Sequence, residues 1–175
     1  MFSLTRIEKK DSPLYKSVDE LYESAFPYHE KRDERAKQVA LDNDSYYLTA
    51  WHHNNIFVGF IGYWRFKDYV YIEHLAIDPN LRSQGYGKKV LECFLAQHPQ
   101  TILEIDPLTT EIASRRLRFY QSLGFVENSY SHAHPSYHSE ISDHELVVLS
   151  SKKIISNEQY VIFLNDLKNI AMILN

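Results

Sequence analysis

A single cysteine, Cys93, stands in a chain of 175 residues, so no internal disulfide can staple the fold. It lies among apolar neighbours and reads as a small packing residue. Long apolar runs are missing as well, and no stretch approaches the ~18 residues that would cross a bilayer. The first residues lack the charged-then-apolar pattern of a secretory leader, so a cytoplasmic location without a membrane partner is expected. Positive charge is in deficit, with 19 Lys and Arg against 23 Asp and Glu. The resulting net charge of −4 offers no basic field for a polyanion, and no nucleic-acid partner is expected. Internal repeats and low-complexity segments are absent. The length suits a soluble globular unit with a substantial core.

Tyrosine, by contrast, is abundant, with 13 copies, several of them in segments that read as strands with half-buried rings. Phe2 to Ile7 alternates weakly and suggests a first strand. Ser17-x-x-Glu20 reads as a capping box opening a helix through Phe26, where Pro27 stops it. Ala36, Val39 and Ala40 suggest a second, largely exposed helix. Strands at 46–52, 56–65 and 69–77 follow in succession and predict an antiparallel meander. Beyond them the pattern gives a helix from near Gly87, a strand at 102–106, a helix at 110–123 capped by Gly124, and strands at 125–129 and 145–150. Ser156-x-x-Gln159 opens a further helix on which Tyr160, Phe163, Leu164, Leu167, Ile170 and Leu174 share a face. That face either packs back on the domain or forms a dimer contact.

Arg82-Ser83-Gln84-Gly85-Tyr86-Gly87-Lys88 lies between the strand ending at Ile77 and the helix carrying Val90, Leu91, Phe94 and Leu95. The first N–H groups of a helix have no intrahelical acceptor and carry partial positive charge, so this turn can receive an anion. Two common phosphate motifs fail here. The dinucleotide fingerprint needs a third glycine where Val90 stands, and Gly87-Lys88-Lys89 lacks the hydroxyl residue of a Walker loop.

What remains, Arg-x-x-Gly-x-Gly after Leu-Ala-Ile-Asp-Pro, resembles motif A of the GNAT superfamily of acyl-CoA-dependent N-acyltransferases. Arg118-Phe119-Tyr120-Gln121-Ser122-Leu123-Gly124-Phe125 is similar to the family's motif B, and the two together span residues 46–149. The resemblance implies an α/β (α+β) fold with a mixed, mostly antiparallel sheet of about six or seven strands flanked by helices on both faces. It implies an acyltransferase domain over residues 1–150, with 151–175 as a helical extension packed on it.

The implied activity is transfer of an acetyl group from acetyl-CoA to a primary amine of a small molecule or peptide, by direct attack in a ternary complex. The alternative is a non-catalytic acyl-CoA-binding sensor or scaffold with the same fold. Arg82, Ser83, Gln84, Gly85, Tyr86, Gly87 and Lys88 would hold the coenzyme diphosphate. Leu75, Ala76 and Ile77 would supply the strand edge for its pantetheine arm. Tyr120 corresponds to the family's general acid at the coenzyme sulfur, with Phe119 packed beside it. Ala113 stands where the family often carries Asn, and Arg116 where it often carries a small residue, so side-chain contacts to the pantetheine differ.

For the base, Glu73 is the leading candidate, with a structural carboxylate as the competing reading. Strict alternation puts Glu73, Leu75 and Ile77 on one face and His74 on the other, and burial would raise a carboxyl pKa toward the working range. Tyr28 and His29 fall where the family lines its acceptor site. Glu104 and His134 are further acceptor-site candidates, with Asp106 beside them. His132, His134 and His138 have no adjoining cysteine or acidic cluster, the reaction needs no metal, and none is assigned. Their segment reads as an acceptor-facing loop. Monomer and homodimer both remain open.

Overall fold

In a computed structural model, residues 1–173 are described. Leu174, placed on the C-terminal helix face by the sequence pattern, lies outside them. The meander is present: β1 (Phe2–Ile7), β2 (Tyr46–His53), β3 (Ile56–Arg65) and β4 (Val70–Ile77) pair antiparallel in chain order. β5 (Thr101–Ile105) then joins β4 in parallel, and β8 (His144–Ser151) joins β5 antiparallel. The outer edge of β8 is shared by β6 (Phe125–Glu127) and β7 (His132–His134), making an eight-stranded sheet. A strand at 132–134 was not expected from the sequence, because three residues are too few for a periodic signal.

Helices cover both faces. On one side lie α1 (Tyr15–Ala25), α2 (Glu34–Leu41) and α5 (Asn157–Asp166), the last continued by a wider turn at Leu167–Ala171. Val18, Leu21, Ala40, Phe163 and Leu167 pack there against Phe60, Trp64 and Tyr71 of the sheet. On the other side, α3 (Tyr86–Gln97) and α4 (Glu111–Gln121) are packed through a cluster that includes Val90, Leu91 and Phe94 with Ile61, Val70 and Leu103. Phe163 is fully buried and sets its ring edge-on to Tyr71 at 5.3 Å, so the C-terminal segment shares the core of the sheet it covers. Its capping box forms in both directions, between Ser156 and Gln159.

Two local readings need correction. α1 opens at Tyr15, not at Ser17, because the preceding turn already bonds Val18 N to Leu14 O and leaves Ser17 inside the helix. α2 is not simply an exposed charged helix. Lys37 is buried, with Nζ 2.6–2.8 Å from carboxylates of Asp19, Glu23 and Glu34.

The feature that positions the site is the short reach of the parallel pair. β4 and β5 are in register only at Val70–Thr101 and Tyr71–Ile102. Past Tyr71 the two strands separate, and main-chain groups of β4 are left facing a gap.

Candidate active site

That gap widens into one continuous cavity of about 1020 Å³. β4 forms its floor through Leu75, Ala76 and Ile77, while Gly87 of α3 and Phe119 and Tyr120 of α4 close one wall. His134 and Tyr137 stand on the opposite side. Residues from motif A and motif B, separated by a helix and a strand in the chain, thus line one space.

At the phosphate end, Gly85 has a φ of +81°, a left-handed conformation that lets the chain reverse directly into α3. Ser83 adopts a φ of +61° two residues earlier. Among the described residues, the main-chain N–H groups of residues 83–88 have no hydrogen-bond acceptor; the first N–H with one is Lys89, which donates to Gly85 O at 3.2 Å. Six free donors at a helix start suit a multiply charged anion. A Cβ on Gly87 would rest at ordinary contact distance from Ile77 and Phe119, at 3.5 and 3.7 Å. Internal packing therefore does not require glycine there; a ligand approaching the backbone would. Arg82 Nε donates to Ile77 O, and Gln84 Nε2 donates to Asn80 O, so these two side chains brace the turn. Lys88 stays exposed beside it.

Tyr120 reaches the same cavity from α4, its ring edge-on to Phe119 at 5.2 Å and to Phe125 at 5.6 Å. Burial pushes its hydroxyl pKa up to about 12, against a smaller lowering from Arg116. Its O–H has no protein acceptor among the described residues. Phe119 packs beside it, as expected.

Glu73 behaves differently from the expectation. Gly62 pairs with His74 and Tyr63 with Ile72, so Glu73 is the extra residue of a β-bulge. The bulge breaks the alternation and turns the Glu73 side chain to the face opposite Leu75 and Ile77, the same face as His74. There its side chain is fully buried. Arg32 donates to both oxygens, from Nε at 2.8 Å and Nη2 at 2.9 Å, Trp64 Nε1 donates at 2.7 Å, and the Tyr137 hydroxyl donates at 3.1 Å. Burial alone would raise this carboxyl, but the Arg32 guanidinium, followed by His74, outweighs it and holds the pKa well below the usual carboxylate range. A carboxylate so fully paired is a poor proton acceptor, and the competing structural reading is the one the geometry supports. Arg32 also donates to Ala171 O at 2.5 Å, tying the C-terminal segment to the same pair. No local motif marked Arg32, since its role depends on a partner 41 positions away.

Glu104 lines the cavity but is likewise committed. Its oxygens engage the Tyr71 hydroxyl and His132 Nε2. Burial opposes ionisation, yet His134 and His132 hold its pKa below the ordinary value. His132 passes its other nitrogen to the Tyr160 hydroxyl of α5 at 2.9 Å. Tyr28 is exposed and does not line the cavity; it stacks on His138 at 3.9 Å and donates to Glu140. His29 does line it. Of the segment 131–138, residues 134–137 line the cavity, and His132, His134 and His138 are buried against different partners.

His134 is the unusual one. Its Nδ1 lies 2.7 Å from Pro135 O, and since a carbonyl only accepts, Nδ1 carries the proton. In the neutral ring this leaves Nε2 as a bare acceptor, buried and without a partner among the described residues. A buried acceptor left unpaired costs about 1–3 kcal/mol and calls for a functional explanation.

The model of the acetyltransferase (GNAT) family matches residues 13–125, and the chain belongs to that family. A GNAT-family protein from Bacteroides thetaiotaomicron is 27% identical, with a TM-score of 0.91 over 97% of this chain and 98% of its own. The ribosomal-protein-S18-alanine N-acetyltransferase of Escherichia coli shares the fold at 17% identity, with a TM-score of 0.61 over 90% of this chain and 97% of that one. A GNAT acetyltransferase from Elizabethkingia anophelis, solved with acetyl-CoA bound, superposes with a TM-score of 0.56 at 14% identity, over 87% of this chain and 98% of that one. No curated protein matches the sequence significantly. No described helix is long and apolar enough to cross a membrane.

Proposed function

We propose that this chain moves the acetyl group of acetyl-CoA to a primary amine of a small molecule or peptide, by direct attack with both reactants bound. The observation that carries the reading is one continuous cavity running from Arg82 and Gly87, at the turn whose main-chain donors are free, past the open edge of β4 to Tyr120 and His134. Acetyl-CoA supplies an activated acetyl group as a thioester. The N–H groups of residues 83–88 hold its diphosphate, and the edge at Leu75–Ile77 receives the pantetheine arm and polarises the acetyl carbonyl. Tyr120, a phenol that is protonated at neutral pH and that burial keeps so, gives its proton to the sulfur as the C–S bond breaks. His134, which lines the cavity beyond the acetyl position, takes the proton that leaves the amine as the N–C bond forms. His29 lines the acceptor end of the cavity, and Glu104 fixes the wall beside His134.

Thiol release from acetyl-CoA across a panel of amines, amino acids and N-terminal peptides tests the reaction. A second reading, a coenzyme-binding sensor or scaffold without turnover, draws on the neutralisation of Glu73 by Arg32. It predicts thermal stabilisation by acetyl-CoA with no thiol release for any acceptor.

A further inference from the structure

We propose a zinc-class metal site formed by His29, Glu30 and His144 at the edge of the cavity. His29 and Glu30 belong to the single turn Tyr28–Glu30 after α1, and His144 opens β8, so the group is assembled from segments over 110 positions apart. One ligand atom from each of the three lies within 4.8 Å of the others. Both imidazoles are partly exposed and stacked, with ring centroids 5.0 Å apart.

His29 Nε2 is 3.7 Å from Glu30 Oε1, and His144 Nε2 is 3.5 Å from Asp106 Oδ1. Both exceed the ~2.7–3.2 Å of a hydrogen bond. Two atoms that each bind zinc at ~2.0–2.2 Å in tetrahedral geometry stand ~3.3–3.5 Å apart, so the His29–Glu30 pair needs only a small contraction to share an ion. The backbone of the turn is fixed, because His74 Nε2 meets Glu30 O at 2.8 Å and His138 Nε2 meets Tyr28 O at 3.0 Å. Closure onto an ion therefore needs side-chain rotation more than chain movement. Asp106 adds negative charge at the margin of the group, although Arg116 lies 3.3 Å from its other oxygen.

The contrast with Asp19, Glu23 and Glu34 is instructive. Those three carboxylates also converge, but Lys37 Nζ already sits among them as their cation. Among the described residues, no lysine or arginine pairs with His29, Glu30 or His144. Two imidazole nitrogens with one carboxylate suit zinc or cobalt rather than magnesium, which demands oxygen ligands. Three protein donors leave a fourth position open, and all three residues line the cavity.

The test uses untagged full-length protein stripped with chelator, titrated calorimetrically with zinc and with magnesium, and by visible absorption with cobalt(II). One saturable zinc site per chain is expected, with no magnesium binding and an intense tetrahedral cobalt spectrum. His29→Ala and His144→Ala should each weaken zinc binding by about tenfold or more, while His52→Ala, which does not line the cavity, should leave it unchanged. Thermal melts establish that each variant is folded. If a variant fails to fold, the cobalt spectrum of the wild type decides. Absence of saturable zinc binding, a weak octahedral cobalt spectrum, or losses smaller than tenfold in both folded histidine variants would overturn the site. None of these readouts depends on acetyl transfer.

Discussion

Replacing Arg32 with methionine isolates the buried ion pair that decides what Glu73 does. The substitution keeps an unbranched side chain but removes both donors to Glu73 and the bond to Ala171 O. The Glu73 side chain is completely buried, so its charge cannot turn to solvent instead. Breaking a buried pair by removing one partner costs about 3–5 kcal/mol. At ~2–4 °C per kcal/mol for a protein of this size, the melting temperature should fall by ~6–20 °C. The pH dependence should also reverse. In the wild type, Glu73 has a folded pKa below its unfolded value, so its contribution is fully present above the ordinary carboxylate range and is lost as pH falls through the folded pKa. In Arg32→Met the unpaired carboxylate is desolvated and its pKa rises, so the native state binds the extra proton. The variant should then gain stability as pH falls from ~7 toward ~5. Urea unfolding followed by tryptophan fluorescence suits the measurement, because Trp64 donates directly to Glu73. Adding Glu73→Gln to Arg32→Met should restore part of the loss. A loss below about 1 kcal/mol, or a pH profile parallel to the wild type, would refute the reasoning.

Further expectations concern the cavity and the C-terminal segment. Tyr120→Phe should lower kcat by about 10²-fold or more with coenzyme affinity nearly unchanged, and an unaltered rate in steady-state assays would remove Tyr120 from proton transfer. His134→Ala should lower kcat by a comparable factor of about 10², and calorimetry should find coenzyme binding intact. Gly85→Val should cost about 1–2 kcal/mol from the left-handed backbone and weaken coenzyme binding in calorimetry; normal affinity would count against the turn as the diphosphate site. Phe163→Ala should destabilise by about 3–5 kcal/mol in a single cooperative transition, while a separate early transition would show that the C-terminal segment unfolds independently.

Motif A and motif B were legible in the sequence because their chemistry is local. A turn bearing Gly85 and Gly87 before a helix leaves N–H groups free whatever surrounds it, and Tyr120 is placed by the helical spacing of its own segment. The meander and the C-terminal capping box were readable for the same reason, since period and capping are properties of neighbours in the chain. The face on which Glu73 lies was not, because one extra residue in β4 reverses an alternation argument and no composition signal announces a bulge. The protonation of Glu73 was decided by Arg32, and the free nitrogen of His134 by the direction of one carbonyl. The meeting of His29 with His144 likewise exists only once β8 returns beside the turn after α1. Charge state and ligand geometry depend on what stands within a few ångströms, and in these three cases the chain's path through space, not its order, put it there.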